Sequence, residues 1–173
     1  AYGVIMYVNF VFSSMYIGYS IGAAPIVSYH YGAGNRTELK NLLKKSLGLI
    51  GLTGIVLTAL AEITSGPLVE IFVGYDRELF EMTCHGFRIY ALFFIICGFN
   101  IWSSAFFTAL GNGVVSAIIS FLRTLVFQSG AVMLLPIFLG LDGVWLAVVA
   151  AEIMALCVSA IFCVAQRKKY GYL

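Results

Sequence analysis

Two long stretches of the chain carry no charged residue, and this feature limits the possible fold more than any other. The first runs from Ala1 to Asn35 and the second from Ile89 to Leu122. An apolar stretch of about 18 or more residues without charges is long enough to cross a bilayer. Of the 173 residues, 61% are hydrophobic and 10% are charged, whereas soluble domains carry about 25% charged residues. We therefore expect an all-α membrane protein with several spans.

Hydropathy and the positions of glycine predict five transmembrane helices in one domain that covers residues 1–173. The predicted spans are residues 1–29, 38–64, 79–110, 114–139 and 142–166. Each predicted connection begins at a glycine, which readily adopts the left-handed conformation that closes a helix. The chain begins with Ala1 and has no signal-peptide pattern, so we expect a fragment that starts partway through a longer protein.

The charges predict how these spans are oriented. Four cations lie in residues 36–45 and three in residues 167–169, while residues 66–81 are mainly acidic. Under the positive-inside rule, the two basic segments lie in the cytoplasm, including the carboxy terminus, and the acidic segment lies outside. Five spans satisfy these assignments with the amino terminus outside. We therefore expect a multi-pass protein of the cell (plasma) membrane from which one preceding helix is missing.

Polar residues recur at helical spacing inside three of the predicted spans. These stripes are Asn9, Ser13, Tyr16 and Ser20; Asn100, Ser104 and Thr108; and Ser116, Ser120, Thr124 and Gln128. A polar stripe gains nothing from contact with lipid, so each stripe should face another helix or a water-filled cavity. Two interpretations stay open, namely hydrogen bonds between helices and the lining of a transport path. In the second, the candidate cavity residues are Asn9, Ser13, Tyr16, Asn100 and Gln128.

Glu152 is a carboxylate near the middle of the last predicted span. It follows Asp142 by ten residues, or about 15 Å along a helix. An ionised carboxylate at that depth costs at least about 2.5 kcal/mol, so it must be protonated, paired or hydrated. One interpretation is a coupling site for a proton or a cation. The other is a structural ion pair or hydrogen-bond acceptor, with Arg123 as the candidate partner.

Other classes of site have weak support in the sequence. The net charge of +2 is too small to indicate nucleic acid, and the four cysteines show no Cys-x-x-Cys spacing. The glycine-rich stretch Pro25 to Ser46 could suggest a phosphate-binding loop or a metal site around His30. However, a nucleotide loop needs a preceding strand, and His30 has no second ligand at helical spacing. We interpret the stretch as a cytoplasmic turn that fixes the topology, and we expect no metal, no cofactor and no enzyme activity.

Four segments resemble one family of transporters. They are "GAAPIVSYHYGAGN", "TALGNG", "LPIFLGLDGVWLAVVAAE" and "RKKYGY". Together they are similar to the carboxy-terminal lobe of the multidrug and toxic compound extrusion (MATE) transporters, in the bacterial multidrug exporter branch. The resemblance implies that the five spans form most of one six-helix lobe of a twelve-helix transporter. The missing amino-terminal lobe and one further helix would then be its partners.

The resemblance also implies a function, which is export of small organic cations, such as drugs and other xenobiotics, in exchange for sodium ions or protons. Some relatives carry a carboxylate midway along the helix that matches the third span, where this chain has Asn100. Coupling would then reside in the absent part or involve Glu152. The alternatives are a flippase for lipid-linked sugars, which shares the broad fold, and a truncated chain with no activity of its own.

Overall fold

The computed structural model describes residues 2–172 as a bundle of long helices, with no strand in that range. The helices in chain order are α1 (Tyr2–Gly32), α2 (Arg36–Val73), α3 (Arg77–Ala91), α4 (Phe93–Ala109), α5 (Gly113–Phe121) and α6 (Ser129–Tyr170). A π-helical segment, Leu122–Gln128, joins α5 to α6. The helical membrane fold that the sequence predicts is confirmed.

The bounds of the second span differ from the prediction. Helix α2 does not end near residue 64 but continues through Gly66 and Pro67 to Val73. Proline inside a transmembrane helix is tolerated where other groups satisfy the backbone. Pro67 cannot donate to the carbonyl of Ile63, whereas the nearby hydroxyls of Thr64 and Ser65 donate to the carbonyls of Leu60 and Glu62. The helix is 38 residues long, about 57 Å, and therefore exceeds the thickness of the hydrocarbon core.

The third span is bent rather than continuous. Helices α3 and α4 meet at Leu92 at an angle of 44°. Two side chains from other helices donate hydrogen bonds to backbone carbonyls on either side of this bend. The hydroxyl of Tyr16 in α1 donates to the carbonyl of Phe94 at 2.8 Å, and that of Thr58 in α2 donates to the carbonyl of Ala91 at 3.1 Å. The bend is thus held by hydrogen bonds from both neighbouring helices.

The fourth and fifth spans are separated by one residue with non-helical geometry. Gly140 has φ 57° and ψ −132°, a conformation that is essentially restricted to glycine. Beyond it the chain doubles back, because Ala131 packs in one cluster with Ala147 and Ala151. Gly143 allows the two arms to approach closely, since a Cβ there would collide with the backbone of Leu135 and Pro136. Residues 129–139 and 141–170 are therefore two neighbouring arms of α6.

Helix α4 lies at the centre of the bundle and packs against α1, α2, α5 and α6. Its large side chains Trp102, Phe94, Phe106 and Phe107 are fully buried, together with Asn100. Many large apolar side chains of the other helices point outward, with Phe10 79% and Phe138 82% exposed. This arrangement fits a multi-pass membrane protein, in which lipid covers the outer face and polar groups are retained inside.

Candidate functional site

A polar cleft of about 270 Å³ opens between α1, α3, the π-helical segment and α6. Its polar lining consists of Tyr2, Asn9, Ser13, Tyr90, Arg123, Thr124, Gln128 and Glu152. The groove between α1 and α2, by contrast, is lined almost entirely by apolar side chains. We call the first cavity the polar cleft and treat it as the candidate site.

The polar cleft contains an ion pair between the fourth and fifth spans. The guanidinium Nε of Arg123 donates to Oε1 of Glu152 at 2.7 Å. The Glu152 side chain is 6% exposed and that of Arg123 is 23% exposed, so the carboxylate is buried while the guanidinium borders the cleft. The pairing with Arg123 that the sequence left open is present in the structure.

Asn100 holds the other side of this carboxylate. Its Nδ2 donates to Oε2 of Glu152 at 2.7 Å and to the backbone carbonyl of Glu152 at 3.0 Å. Its Oδ1 accepts from the hydroxyl of Ser159 at 3.1 Å. Because both carboxylate oxygens and the Asn100 amide have partners, the buried polar groups of this network are satisfied. The network of Arg123, Glu152, Asn100 and Ser159 joins the third, fourth and fifth spans.

The π-helical segment brings Arg123 and Gln128 to the same cleft. In a regular α-helix, side chains five residues apart diverge by about 140°. A π-helix bonds residue i to residue i+5 and so places such residues on nearly the same side. Arg123, Thr124 and Gln128 all line the polar cleft. Segments of π-helix often occur at functional sites, and the sequence contains no glycine or proline within residues 122–128 that would reveal this one.

The predicted cavity residues separate into two groups. Asn9, Ser13 and Gln128 line the polar cleft, and Ser13 donates to Asn9 at 2.9 Å. Tyr16 is buried and bonded at the α3–α4 bend, and Asn100 is fully buried behind Glu152. Thus Tyr16 and Asn100 do not line the cleft. Tyr90, which lies one helical turn before Phe94, does line it.

The remaining polar stripe residues of the third and fourth spans bond to one another. The hydroxyl of Ser104 lies 2.8 Å from that of Ser116 and 2.9 Å from that of Ser120. Thr108 also donates to Ser116 at 2.8 Å. These contacts join the third and fourth spans, as the interpretation by hydrogen bonds between helices predicts for these four residues.

Metal binding by several side chains has no support within residues 2–172, where no three His, Cys, Asp or Glu residues lie close enough to share an ion. A single carboxylate such as Glu152 could still attract a monovalent cation through its charge. Its two oxygens face Arg123 on one side and Asn100 on the other. A cation would therefore have to replace or join Arg123.

The sequence was compared with models of protein families, and this comparison identifies the family of the chain. The model named MatE matches residues 1–131, which is more than half of the chain. The chain belongs to the MatE family. No curated protein matches the sequence of this MatE chain significantly.

Solved structures of MATE transporters share the fold of this MatE chain. One is the inward-facing conformation of a multidrug resistance MATE family transporter, with a TM-score of 0.89 and 19% identity over 96% of this chain. A second is the Vibrio cholerae MATE transporter VcmN in its bent form, with a TM-score of 0.89 and 17% identity over 99% of this chain. A third is an outward-facing MATE family transporter, with a TM-score of 0.85 and 18% identity over 96% of this chain.

The MatE chain spans about two fifths of the length of these structures, since it covers 38% to 39% of each. At such low identity the likeness concerns the fold. The match over nearly the whole chain confirms the predicted resemblance and the assignment of the five spans to part of a MATE-type transporter.

Proposed function

We propose that this chain forms most of one lobe of a secondary active exporter, which exports small organic cations in exchange for sodium ions or protons. The observation that carries the proposal is the polar cleft with a buried carboxylate, Glu152, near the middle of a membrane span. Substrate sites of secondary transporters typically lie near the bilayer midplane between repeated halves. The second half would come from a partner lobe, because the matched structures are more than twice as long.

The charge of the cleft favours cations over anionic lipid-linked sugars. Arg123 and Glu152 are the charged residues in its lining, and they neutralise each other. A flippase for phosphate-linked lipids would need an excess of positive charge, which the described lining does not supply. Tyr90 adds an aromatic ring that could attract an organic cation.

Glu152 would couple export to an ion or proton through competition with Arg123. A proton or a sodium ion that binds to Oε1 would take over the position that Arg123 Nε now occupies. Asn100 would keep Oε2 fixed, because Asn100 lies on the opposite, fully buried side. Release of Arg123 would then change the contact between the fourth and fifth spans, and so bias the population of two transporter conformations.

The shared fold supports movement of this lobe as a unit. The chain has a TM-score of 0.89 to a structure described as inward-facing and 0.85 to one described as outward-facing. In many transporters, alternating access arises from rigid-body movement of one repeat against the other. In this proposal, the carboxy terminus lies in the cytoplasm and the transporter lies in the cell membrane.

The proposal is tested by measuring ethidium efflux from cells that express the complete gene product carrying this chain. We expect efflux that stops when the sodium and proton gradients are both collapsed, and collapsing each one separately identifies the coupling ion. Expression of residues 1–173 alone is a second arm, and we expect no efflux because half of the cavity is absent. Efflux by the complete product that persists without either gradient would contradict the proposal.

A further inference from the structure

A second, smaller pocket lies at the end of the bundle where the basic segments meet. It has a volume of about 140 Å³ and is formed by the turn after α1 and the end of α6. Its lining residues are His30, Tyr31, Gly34, Arg36, Leu39, Lys169 and Tyr170. We call this cavity the basic pocket. It joins residues 30–39 to residues 169–170, and it is separate from the polar cleft.

The carboxy-terminal tail is fixed in place and forms one wall of this region. Gly171 adopts φ 69°, which reverses the chain after α6. Tyr172 is fully buried, donates to the carbonyl of Cys163 at 2.9 Å and packs edge-on against Phe106. Burial raises the pKa of the Tyr172 phenol, so the hydroxyl stays protonated and acts as a donor. The tail therefore holds Lys169 and Tyr170 in a defined position.

Arg36 is packed against this tail. A Cβ added to Gly171 would lie 2.6 Å from Cδ of Arg36 and 3.0 Å from its Nε. On the other wall, the rings of Tyr31 and Tyr170 lie 5.4 Å apart. Nζ of Lys169 lies 5.2 Å from the centre of the Tyr170 ring. Arg36 and Lys169 are both exposed, and these contacts place them on two sides of the same pocket.

The positive charge of the basic pocket is not balanced within residues 2–172. The ion pairs in that range involve Arg77, His85 and Arg123, and so neither Arg36 nor Lys169 has a carboxylate of the described residues within 4.0 Å. In addition, Nδ1 of His30 is buried and has no hydrogen-bond partner among these residues. A buried polar atom without a partner is uncommon and calls for a ligand or a water molecule. An anionic oxygen in the pocket would balance the charge of Arg36 and Lys169.

We propose that the basic pocket binds the phosphate group of an anionic phospholipid. Arg and Lys form short, charge-assisted hydrogen bonds with phosphate oxygens, and basic pockets at the cytoplasmic side of membrane helices recognise such headgroups. The position also fits, because Tyr29 and Tyr31 are exposed at the end of α1 and tyrosine prefers the membrane interface. The acyl chains of a lipid would anchor it in the bilayer and so hold its phosphate at the level of the pocket. A free phosphate ion has no such anchor.

This assignment gives the glycine-rich stretch a role beyond topology. Gly34 has φ 68°, which turns the chain so that His30 and Arg36 face one pocket. Asn35 caps α2 by accepting from the backbone N–H of Glu38, which stabilises the start of α2 directly after the turn. The inference does not depend on the proposed transport function.

The test measures the rise in Tm of the purified complete gene product when lipid is added in a neutral detergent. We expect phosphatidylglycerol to raise Tm and phosphatidylcholine to have little effect. Arg36→Gln and Lys169→Gln should each weaken the apparent affinity for phosphatidylglycerol at least fivefold, and Arg36→Lys should recover part of it. The matched controls Lys40→Gln and Lys168→Gln remove exposed cations that do not line the pocket, and they should leave the affinity unchanged.

Two outcomes would overturn the inference. If Lys168→Gln and Lys169→Gln weaken the affinity for phosphatidylglycerol equally, the lipid is attracted by diffuse positive charge and not by the pocket. Inorganic phosphate or glycerol 3-phosphate that raises Tm as effectively as the lipid would mean a free-anion site. The Tm of each variant without lipid shows whether it folds, and either Arg36→Gln or Lys169→Gln alone is sufficient for the comparison.

Discussion

Nε of Arg123 lies 2.7 Å from Oε1 of Glu152, and this contact links the fourth and fifth spans beside the polar cleft. The carboxylate is almost completely buried, whereas the guanidinium is partly exposed. Taking both charges out of water costs several kcal/mol, which their attraction and the bonds from Asn100 must offset. In the proposed mechanism, a proton or cation that binds Glu152 would separate this pair. Single substitutions should reveal how its two members depend on each other.

Removal of one member of the ion pair should be more damaging than removal of both. Arg123→Gln leaves the nearly buried Glu152 carboxylate without its cation and should lower the free energy of unfolding by about 3 kcal/mol. Glu152→Gln leaves Arg123, which borders the cleft, and should cost less. The double variant should lose less free energy of unfolding than the sum of the losses in the two single variants. Unfolding by sodium dodecyl sulfate in mixed micelles measures these values.

Glu81→Gln is the matched control for this comparison of single and double variants. Glu81 pairs with Arg77 at the surface, where the Glu81 side chain is 63% exposed and the Arg77 side chain is 84% exposed. An exposed pair of this kind contributes about 0 to 1 kcal/mol. Additive effects of the Arg123 and Glu152 substitutions would contradict direct coupling between them.

Asn100→Asp should make the network sensitive to pH. The new carboxylate would face Oε2 of Glu152, which Asn100 Nδ2 now contacts at 2.7 Å, and two carboxylates at that distance cannot both be ionised easily. The variant should bind one additional proton at neutral pH and lose stability as the pH rises. Thermal unfolding from pH 5 to pH 9 tests this, and a pH dependence identical to that of the wild type would rule it out.

Gly140 and Gly143 should be required for the tight turn that reverses the chain between the fourth and fifth spans. Gly140→Ala forces alanine into a glycine-only conformation and should cost about 1 to 3 kcal/mol. Gly143→Ala adds a methyl group against the backbone of Leu135 and should also destabilise. Gly130→Ala is the control, since Gly130 is helical and has open space around its Cβ position. Equal stability of the three variants would show that the turn does not depend on glycine.

The α3–α4 bend should depend on the side chains that bond its carbonyls. Tyr16→Phe and Thr58→Val each remove one hydroxyl with little change of shape, and we expect losses of about 0.6 to 2 kcal/mol. Thr64→Val removes a hydroxyl that bonds within its own helix and serves as the control. Hydrogen exchange of the backbone around Leu92 should rise in the first two variants and remain unchanged in the third.

The sequence predicts the main architecture of this bundle because hydrophobic length and charge bias are properties of individual segments. The middle position of Glu152 follows in the same way, and Arg123 is identifiable as a candidate partner. The bend at Leu92 is different, since no glycine or proline marks it and hydrogen bonds from Tyr16 and Thr58 stabilise it. Such contacts depend on how whole helices pack, so a single segment does not reveal them.

The polar stripes show a second limit of sequence reasoning. Asn100 begins one stripe and Gln128 ends another, and spacing alone does not distinguish them, but Asn100 lies behind Glu152 and Gln128 lines the cleft. Helical spacing predicts that residues share a face, whereas the neighbours of that face depend on helix rotation. The π-helical segment changes this rotation within one span, which is why the regular spacing failed to place Arg123 beside Gln128.

The most direct measurement of the central claim is protection of cysteines in the polar cleft by a transported cation. In the complete gene product without its native cysteines, Asn9→Cys and Gln128→Cys should react with a membrane-impermeant thiol reagent, and ethidium should slow both reactions. Tyr16→Cys, which is buried, and Phe10→Cys, which faces outward, should remain unreactive. Ready reaction of the two cleft cysteines without protection by ethidium, or no reaction at either, would contradict the account.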